Sequence, residues 1–387
     1  MRLLSYSDNG EIILTEFFGD KIPADYAILS HTWEEHEVSF SDMLNGSGTM
    51  KAGYRKIGLC GEQARRDGLE YFWVDTCCID KSSSAELSEA INSMFQWYKK
   101  ATICYAYLSD VLTVEPTAEE FGQSRWFERG WTLQELLAPK KIHFYTNQWN
   151  RIRFKNELNL KSTISGITSI HIEYLNGKSL SQASIAERMS WASSRKTTRE
   201  EDVAYSLLGI FGVHIPLLYG EGGIHAFIRL QEELLRTTND HSIFLWDFIQ
   251  GTDKWSIYHH ALAPSPIHFQ NGGDIVCCDF GHSVSHSSVT NAGILIKLPI
   301  LFPNDQPYIK AVFQCRRKDD FSNAIALPLF YNGRGAYARI NHPHMLVQQN
   351  TTRWMRIRVK EIYLETRPGM ENMEDMIIEV ADSRRYS

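Results

Sequence analysis

The sequence lacks most common signatures. No apolar run reaches the roughly 18–20 residues that a membrane-crossing helix needs, so no span is expected. Met1–Gly10 offers only the Leu3–Leu4 pair before polar residues, too little for a secretory leader. Seven cysteines among 387 residues form neither a CxxC nor an even, dense framework. Buried free thiols in a reducing, cytoplasmic setting are therefore expected. The glycosylation patterns Asn45-Gly-Ser47 and Asn350-Thr-Thr352 would then be silent. The net charge is only −6, so no global basic field points to nucleic acid. GxxxxGK[ST], HExxH and GxSxG are all missing, which removes the motif-based case for a P-loop enzyme, a zincin or an α/β-hydrolase. There is no internal repeat and no low-complexity linker.

Aromatic residues are abundant instead: 10 Trp, 17 Tyr and 19 Phe make up 12% of the chain. Seven tryptophans (Trp33, Trp73, Trp97, Trp126, Trp131, Trp149 and Trp191) lie in the first half. The 43% hydrophobic and 22% charged shares exclude bulk disorder, and the length allows two or three domains.

The first 150 residues alternate between two periods. Tyr26–Ser30, Tyr71–Asp75, Ile103–Leu108 and Ile142–Tyr145 are short apolar runs that read as buried strands. Between them, Lys56–Asp67, Ala85–Lys99 and Arg125–Leu137 read as helices, the second opened by a Ser83/Glu86 capping box. This alternation implies a mostly parallel sheet with helices on both faces. Ligands of such sheets bind beyond the carboxyl ends of strands, so His31 to Trp33, Asp75 to Cys78, and Ser109 with Asp110 carry weight.

The middle, residues 151–250, reads as a helical extension: Ser181–Trp191, Val203–Phe211 behind a Thr198/Glu201 box, and Ile224–Arg236. Residues 251–387 read as an antiparallel β-rich domain, a sandwich or a barrel. Its strands are expected at Ile275–Cys278, Gly293–Pro299, Tyr308–Cys315, Ala324–Tyr331, Tyr337–Ile340, Trp354–Ile362 and Met376–Val380.

Weaker signals are best given plain readings. Gly220-Glu-Gly222-Gly223 is a turn and helix start rather than a phosphate loop. His282 and His286 sit in loop or strand sequence, so no metal site is expected there. Cys77 and His31 follow different strands and could meet as nucleophile and base, but small buried cysteines are the commoner case.

Six blocks occur in an order that resembles the fungal heterokaryon-incompatibility (HET) domain. They are YAILSHTW from Tyr26, YFWVDTCCIDK from Tyr71 running into SSSAELSEAINSMFQW, SRWFERGWTLQELLAP from Ser124, RMSW from Arg188, TREEDVAYSLLGIF from Thr198 and PLLYGEGGIHAFIRLQ from Pro216. The resemblance spans roughly residues 1–247. It implies a role in fungal self/non-self recognition, innate immunity and programmed cell death. A remote relation to TIR domains further implies a flavodoxin-like sheet in residues 1–150 and an NAD hydrolase activity at the nicotinamide–ribose bond. The TIR catalytic glutamate stands in a Trp-x-x-x-Glu context on the helix after the third strand. Trp131-Thr-Leu-Gln-Glu135 occupies that place, so the resemblance assigns the catalytic role to Glu135.

N-glycosidic cleavage passes through an oxocarbenium-like state that one well-placed carboxylate can stabilise. Nicotinamide is already a cationic leaving group and needs no strong acid. Trp33 and Trp131 are candidate ring platforms, with Trp131 expected one helical turn before Glu135. Arg125, Arg129 and Lys81 are candidate pyrophosphate cations, with the two arginines expected at i and i+4 on one helix. Ser30, His31 and Asp75 are polar at strand ends and complete the candidate set. NAD would be the substrate; no prosthetic group or metal is called for. A second reading is a self-assembling or partner-binding signalling module without chemistry. The β-rich tail is expected to restrain the first domain or to sense a partner.

Overall fold

The computed structural model describes residues 1–154, 157–247, 260–279, 287–303, 307–333, 335–339, 345–348 and 358–366. The chain divides into two compact units. One is Met1–Ser179 with Arg195–Tyr219; the other is Leu180–Ser194 with Gly220–Ser387. The sequence had suggested boundaries at 150 and 250. The division instead splits the helical middle between both units.

The first unit is built on a six-stranded sheet of β1 (Arg2–Tyr6), β2 (Ile12–Glu16), β3 (Tyr26–His31), β4 (Tyr71–Trp73), β5 (Ile103–Tyr107) and β6 (Ile142–Tyr145), in the order β2-β1-β4-β3-β5-β6. Strands β3 to β6 run parallel, and counted along the chain their spatial order is 2-1-3-4. Every residue of β3 is buried, as expected of a central parallel strand. The hairpin β1–β2 pairs antiparallel on the edge at β4 and was not anticipated. Its strands are marked only by Leu3–Leu4 and Ile12–Leu14, and its turn closes at Gly10, whose φ of +81° suits glycine.

Helices cover both faces. Helix α1 (Tyr54–Arg66) packs through Gly61, where a Cβ would lie 2.7 Å from the Phe72 ring. On the opposite face, α2 (Ser84–Lys100) sets Trp97 and Tyr98 against Trp73, with ring centroids 5.6 and 6.0 Å away. Tyr98 also donates its hydroxyl to the Leu29 carbonyl at 2.9 Å. Ser83 caps α2 by accepting from the Glu86 N–H, but the Glu86 carboxylate turns to Arg2 and to the Asp80 N–H, so only half the expected box forms. The Thr198/Glu201 box does not form: the turn Asp202–Tyr205 starts from Glu201 without a side-chain cap, and Leu208–Phe211 follows.

The expected helix Arg125–Leu137 is broken. Arg125–Glu128 is a 3-10 turn, Arg129 is extended (ψ 138°), and α3 spans only Thr132–Leu137 with Trp131 at its N-cap. The cause is a local strand-like contact. The Lys196 N–H donates to the Glu128 carbonyl, and the Gly130 N–H to the Lys196 carbonyl at 2.8 Å. A Cβ on Gly130 would stand 2.6 Å from Thr197 Cγ2, so glycine admits the 196–197 segment.

The second unit is β-rich. Strands β9 (Gly293–Leu301), β10 (Ile309–Val312), β12 (Asn323–Tyr331), β13 (Tyr337–Arg339) and β15 (Arg358–Leu364) pair in a ring that returns to β9, a small barrel; only β13–β15 is parallel. Ile294, Ile296, Leu298 and Ile300 alternate into its core. Strands β8 (Ser288–Thr290) and β14 (Met345–Gln348) extend the sheet. Strands β7 (Ile275–Cys277) and β11 (Cys315–Arg317) form a separate two-stranded ribbon. Helix α4 (Gly223–Thr237) buries Phe227, Leu230 and Leu234, and the glycines before it form its turn, with Gly222 at φ +81°. The expected strand Met376–Val380 and the pair His282/His286 lie outside the described residues. All seven cysteines are free.

Candidate functional site

At the carboxyl ends of β3 and β4, the first unit encloses a cavity of about 170 Å³. The end of β3 contributes His31 and, just beyond, Trp33. The turn after β4 contributes Asp75, Ile79 and Lys81. Helix α2 supplies an apolar wall of Leu87, Ile91 and Met94. The broken segment supplies Arg129, Trp131 and, from α3, Glu135.

Glu135 is only 6% exposed. The Ser30 hydroxyl donates to its Oε2 at 2.5 Å, and Ser30 in turn accepts the Trp126 indole N–H at 2.7 Å. Burial, reinforced by the Asp75 charge, pushes the Glu135 carboxyl up to about 8; Ser30, Arg129 and Tyr98 offset only part of this. At neutral pH Glu135 is thus largely protonated.

Asp75 behaves oppositely. Burial works against its charge, yet His31, Lys81 and Trp33 together hold it well below the usual carboxylate range. Trp33 donates Nε1–H to Oδ2 at 2.7 Å, and His31 Nε2 lies 2.8 Å from Oδ1. Burial and Lys56 keep His31 neutral, and its buried Nδ1 has no partner. That fits the tautomer in which Nε2–H donates to an ionised Asp75. Two carboxyls in one cavity are thereby driven to opposite protonation states, a pattern found where acid and base roles are divided.

Trp33 is 41% exposed and lines the cavity. Lys81 Nζ stands 3.5 Å from its ring centre and Arg129 Cζ 5.5 Å. Seven of the nine expected residues therefore line one cavity: His31, Trp33, Asp75, Lys81, Arg129, Trp131 and Glu135. Ser30 stands behind Glu135. Arg125 does not line this cavity, and the continuous helix expected to carry it is corrected. With the helix broken at Arg129, the two arginines are not one turn apart, and Arg125 turns to Asp110 with its side chain 61% exposed. It borders a neighbouring groove with Lys196 instead. Trp131 likewise reaches the cavity from an N-cap rather than from one turn up a continuous helix. Cys77 is buried and hydrogen-bonded within its own turn, where Cys78 and burial hold its thiol protonated, and it does not line the cavity.

Sequence reasoning missed the far wall: Thr198, Arg199, Asp202 and Tyr219. Asp202 accepts from Trp131 Nε1 at 3.1 Å and from the Tyr219 hydroxyl at 2.9 Å, while burial raises its pKa. Arg199 stacks on Tyr219 at 4.4 Å. Two of the sequence blocks contain these residues, and the contact of Lys196 with Glu128 and Gly130, with the Trp131–Asp202 hydrogen bond, joins their segment to the cavity.

Residues 26–117 match the profile described as Heterokaryon incompatibility protein (HET). Over 244 residues, or 60% of this chain, the sequence is 51% identical to the Vegetative incompatibility protein HET-E-1 of Podospora anserina. The chain spans 18% of that relative's length. No solved structure matches. The matched profile includes His31, Trp33, Asp75 and Lys81, and the cavity they line is completed by residues beyond it. The chain thus carries a match to the heterokaryon-incompatibility (HET) domain family over residues 26–117.

Proposed function

We propose that the first unit is a flavodoxin-like, TIR-related domain that hydrolyses NAD at the nicotinamide–ribose bond. The protein would thereby act in heterokaryon incompatibility and regulated cell death, in the reducing cytoplasm where its thiols stay free. One observation carries the reading: a carboxyl shielded from water, Glu135, faces a small cavity lined by an aromatic platform and cations at the strand ends. The 2-1-3-4 strand order supports it, because such sheets bind nucleotides where the strand order reverses.

The chemistry follows from the electrostatics. The buried Glu135 keeps its proton. A nicotinamide ribosyl cation entering the cavity favours the carboxylate, which then faces the developing oxocarbenium charge in a poorly screened site. Trp33 offers a ring face for the base, and Lys81 and Arg129 offer charge for the pyrophosphate. The ionised Asp75 fixes Trp33 in place and attracts Lys81.

Purified protein incubated with NAD should release nicotinamide, and Glu135→Gln should abolish release with no loss of melting temperature. Absence of release under conditions that promote assembly, with cell killing intact in Glu135→Gln, would replace this reading by a partner-binding module.

A further inference from the structure

The β-rich unit carries a second cluster of reactive groups that the NAD reading does not use. In the ribbon β7–β11, Cys277 stands directly opposite Cys315. The Cys278 N–H donates to the Gln314 carbonyl at 3.0 Å, and the Lys318 N–H to the Asp274 carbonyl at 2.7 Å. Those flanking pairs occupy hydrogen-bonded positions of the ladder. The cysteine pair therefore falls at a non-hydrogen-bonded position, where facing side chains stand closest. Cys278 points to the other face of the strand.

A third group reaches the same spot. Asp240 caps the turn His241–Phe244, and the Cys277 thiol donates to its Oδ1 at 2.8 Å. Both sulfurs and a carboxylate oxygen lie within 4.8 Å of one another. The carboxylate is aimed by two backbone donors: Ile185 N–H to Oδ2 at 2.7 Å and Ser242 N–H to Oδ1 at 2.9 Å. Such outer hydrogen bonds orient metal-bound carboxylates. Cys315 is buried and Cys277 exposed, which gives the cluster a fixed floor and an open side.

We propose that Asp240, Cys277 and Cys315 form a binding site for a thiophilic divalent cation, zinc foremost, with water in the fourth position on the Cys277 side. Two thiolates and one carboxylate suit tetrahedral zinc and are poor ligands for magnesium or calcium. On binding, the two S–H bonds break, two zinc–sulfur bonds form, and both protons pass to solvent; no oxidant is involved. Affinity should then fall by about 100-fold per pH unit on the acid side of the thiol range.

The test uses the full chain, reduced and stripped with a chelator. Titration with zinc should give one metal per chain, release of two protons, and a higher melting temperature. Cobalt should give a thiolate charge-transfer band. Cys277→Ser, at an exposed position, should stay folded and weaken zinc binding by about 100-fold, and Asp240→Asn by about 10-fold. Binding of less than about 0.1 equivalent, or unchanged binding in Cys277→Ser, would overturn the proposal. So would a Cys277–Cys315 disulfide that forms in air and leaves zinc uptake at that low level, which would make the pair a redox element instead.

Discussion

The two units bury polar groups to different ends. In the β-rich unit, the buried amide of Gln231 donates to the carbonyls of Phe227 and Ala263, and its oxygen accepts the Ala263 N–H. Buried Arg339 donates to the Trp246 carbonyl at 2.6 Å and lies 3.8 Å over the same residue's ring. In the α/β unit, Asp75, Glu135 and Asp202 instead converge on a shared cavity, with side chains for partners. A buried polar group that closes onto backbone holds the scaffold together. One that faces a void among other titratable groups is placed for chemistry.

That contrast is sharpest at Glu135 and Gln231. Glu135→Ala should lower NAD cleavage by roughly 1,000-fold or more with the fold intact. Gln231→Ala should cost about 2–3 kcal/mol of stability and leave kcat/KM of the folded protein unchanged. Denaturant melts alongside nicotinamide release check both, and lost activity in a fully stable Gln231→Ala would break the contrast. Asp75→Asn comes next. It removes the charge that raises Glu135 and one anchor of Trp33. It should cut kcat/KM by about 10- to 100-fold and move the acid limb of the pH profile downward.

The wild-type profile itself should rise with pH through about 8, where free Glu135 ionises. Stability carries the opposite sign. The folded chain keeps this proton to about pH 8, whereas the unfolded chain loses it near the ordinary carboxylate value. Stability therefore declines as pH rises between those values and levels off above them. Glu135→Gln should remove that decline, so its melting temperature should exceed wild type at pH 8.5 and match it near pH 4; equal values at both would contradict a buried neutral acid. The smallest effect belongs to Arg125→Ala: about 2-fold or less, against about 10-fold for Arg129→Ala, read as KM for NAD.

Much of this was legible because parallel strands are short, apolar and punctuated. Tyr26–His31 and Ile142–Tyr145 could be read almost to the residue, and the cavity follows from what comes just after strands. The N-terminal hairpin was not legible, because its edge strands alternate weakly and only Leu3, Leu4 and Ser5 are buried in β1. The break at Arg129 was hidden because Arg125–Leu137 has a sound helical pattern, and the competing partner lies 66 residues away. Asp202 and Tyr219 were quoted in motif blocks without a role, since nothing local to them specifies the far wall of a cavity. Tryptophan abundance was an ambiguous guide: Trp73, Trp126, Trp191 and Trp246 are fully buried packing, and among the described residues only Trp33 and Trp131 reach the cavity.

The division of the chain also bears on how it can be dissected. It passes between the two units three times, at 179–180, 194–195 and 219–220. The inserted piece 180–194 buries Ile185, Met189 and Trp191, and ties Ser184 to Ile275 and Ala186 to Ser242. During synthesis this piece leaves the ribosome well before its partners beyond 240. A protein ending near 250 would still carry it, with part of that partner surface gone and an apolar face left exposed. Gain or loss of toxicity after such a cut would then report on aggregation as much as on release from restraint. Point substitutions in the barrel test restraint more cleanly than any truncation.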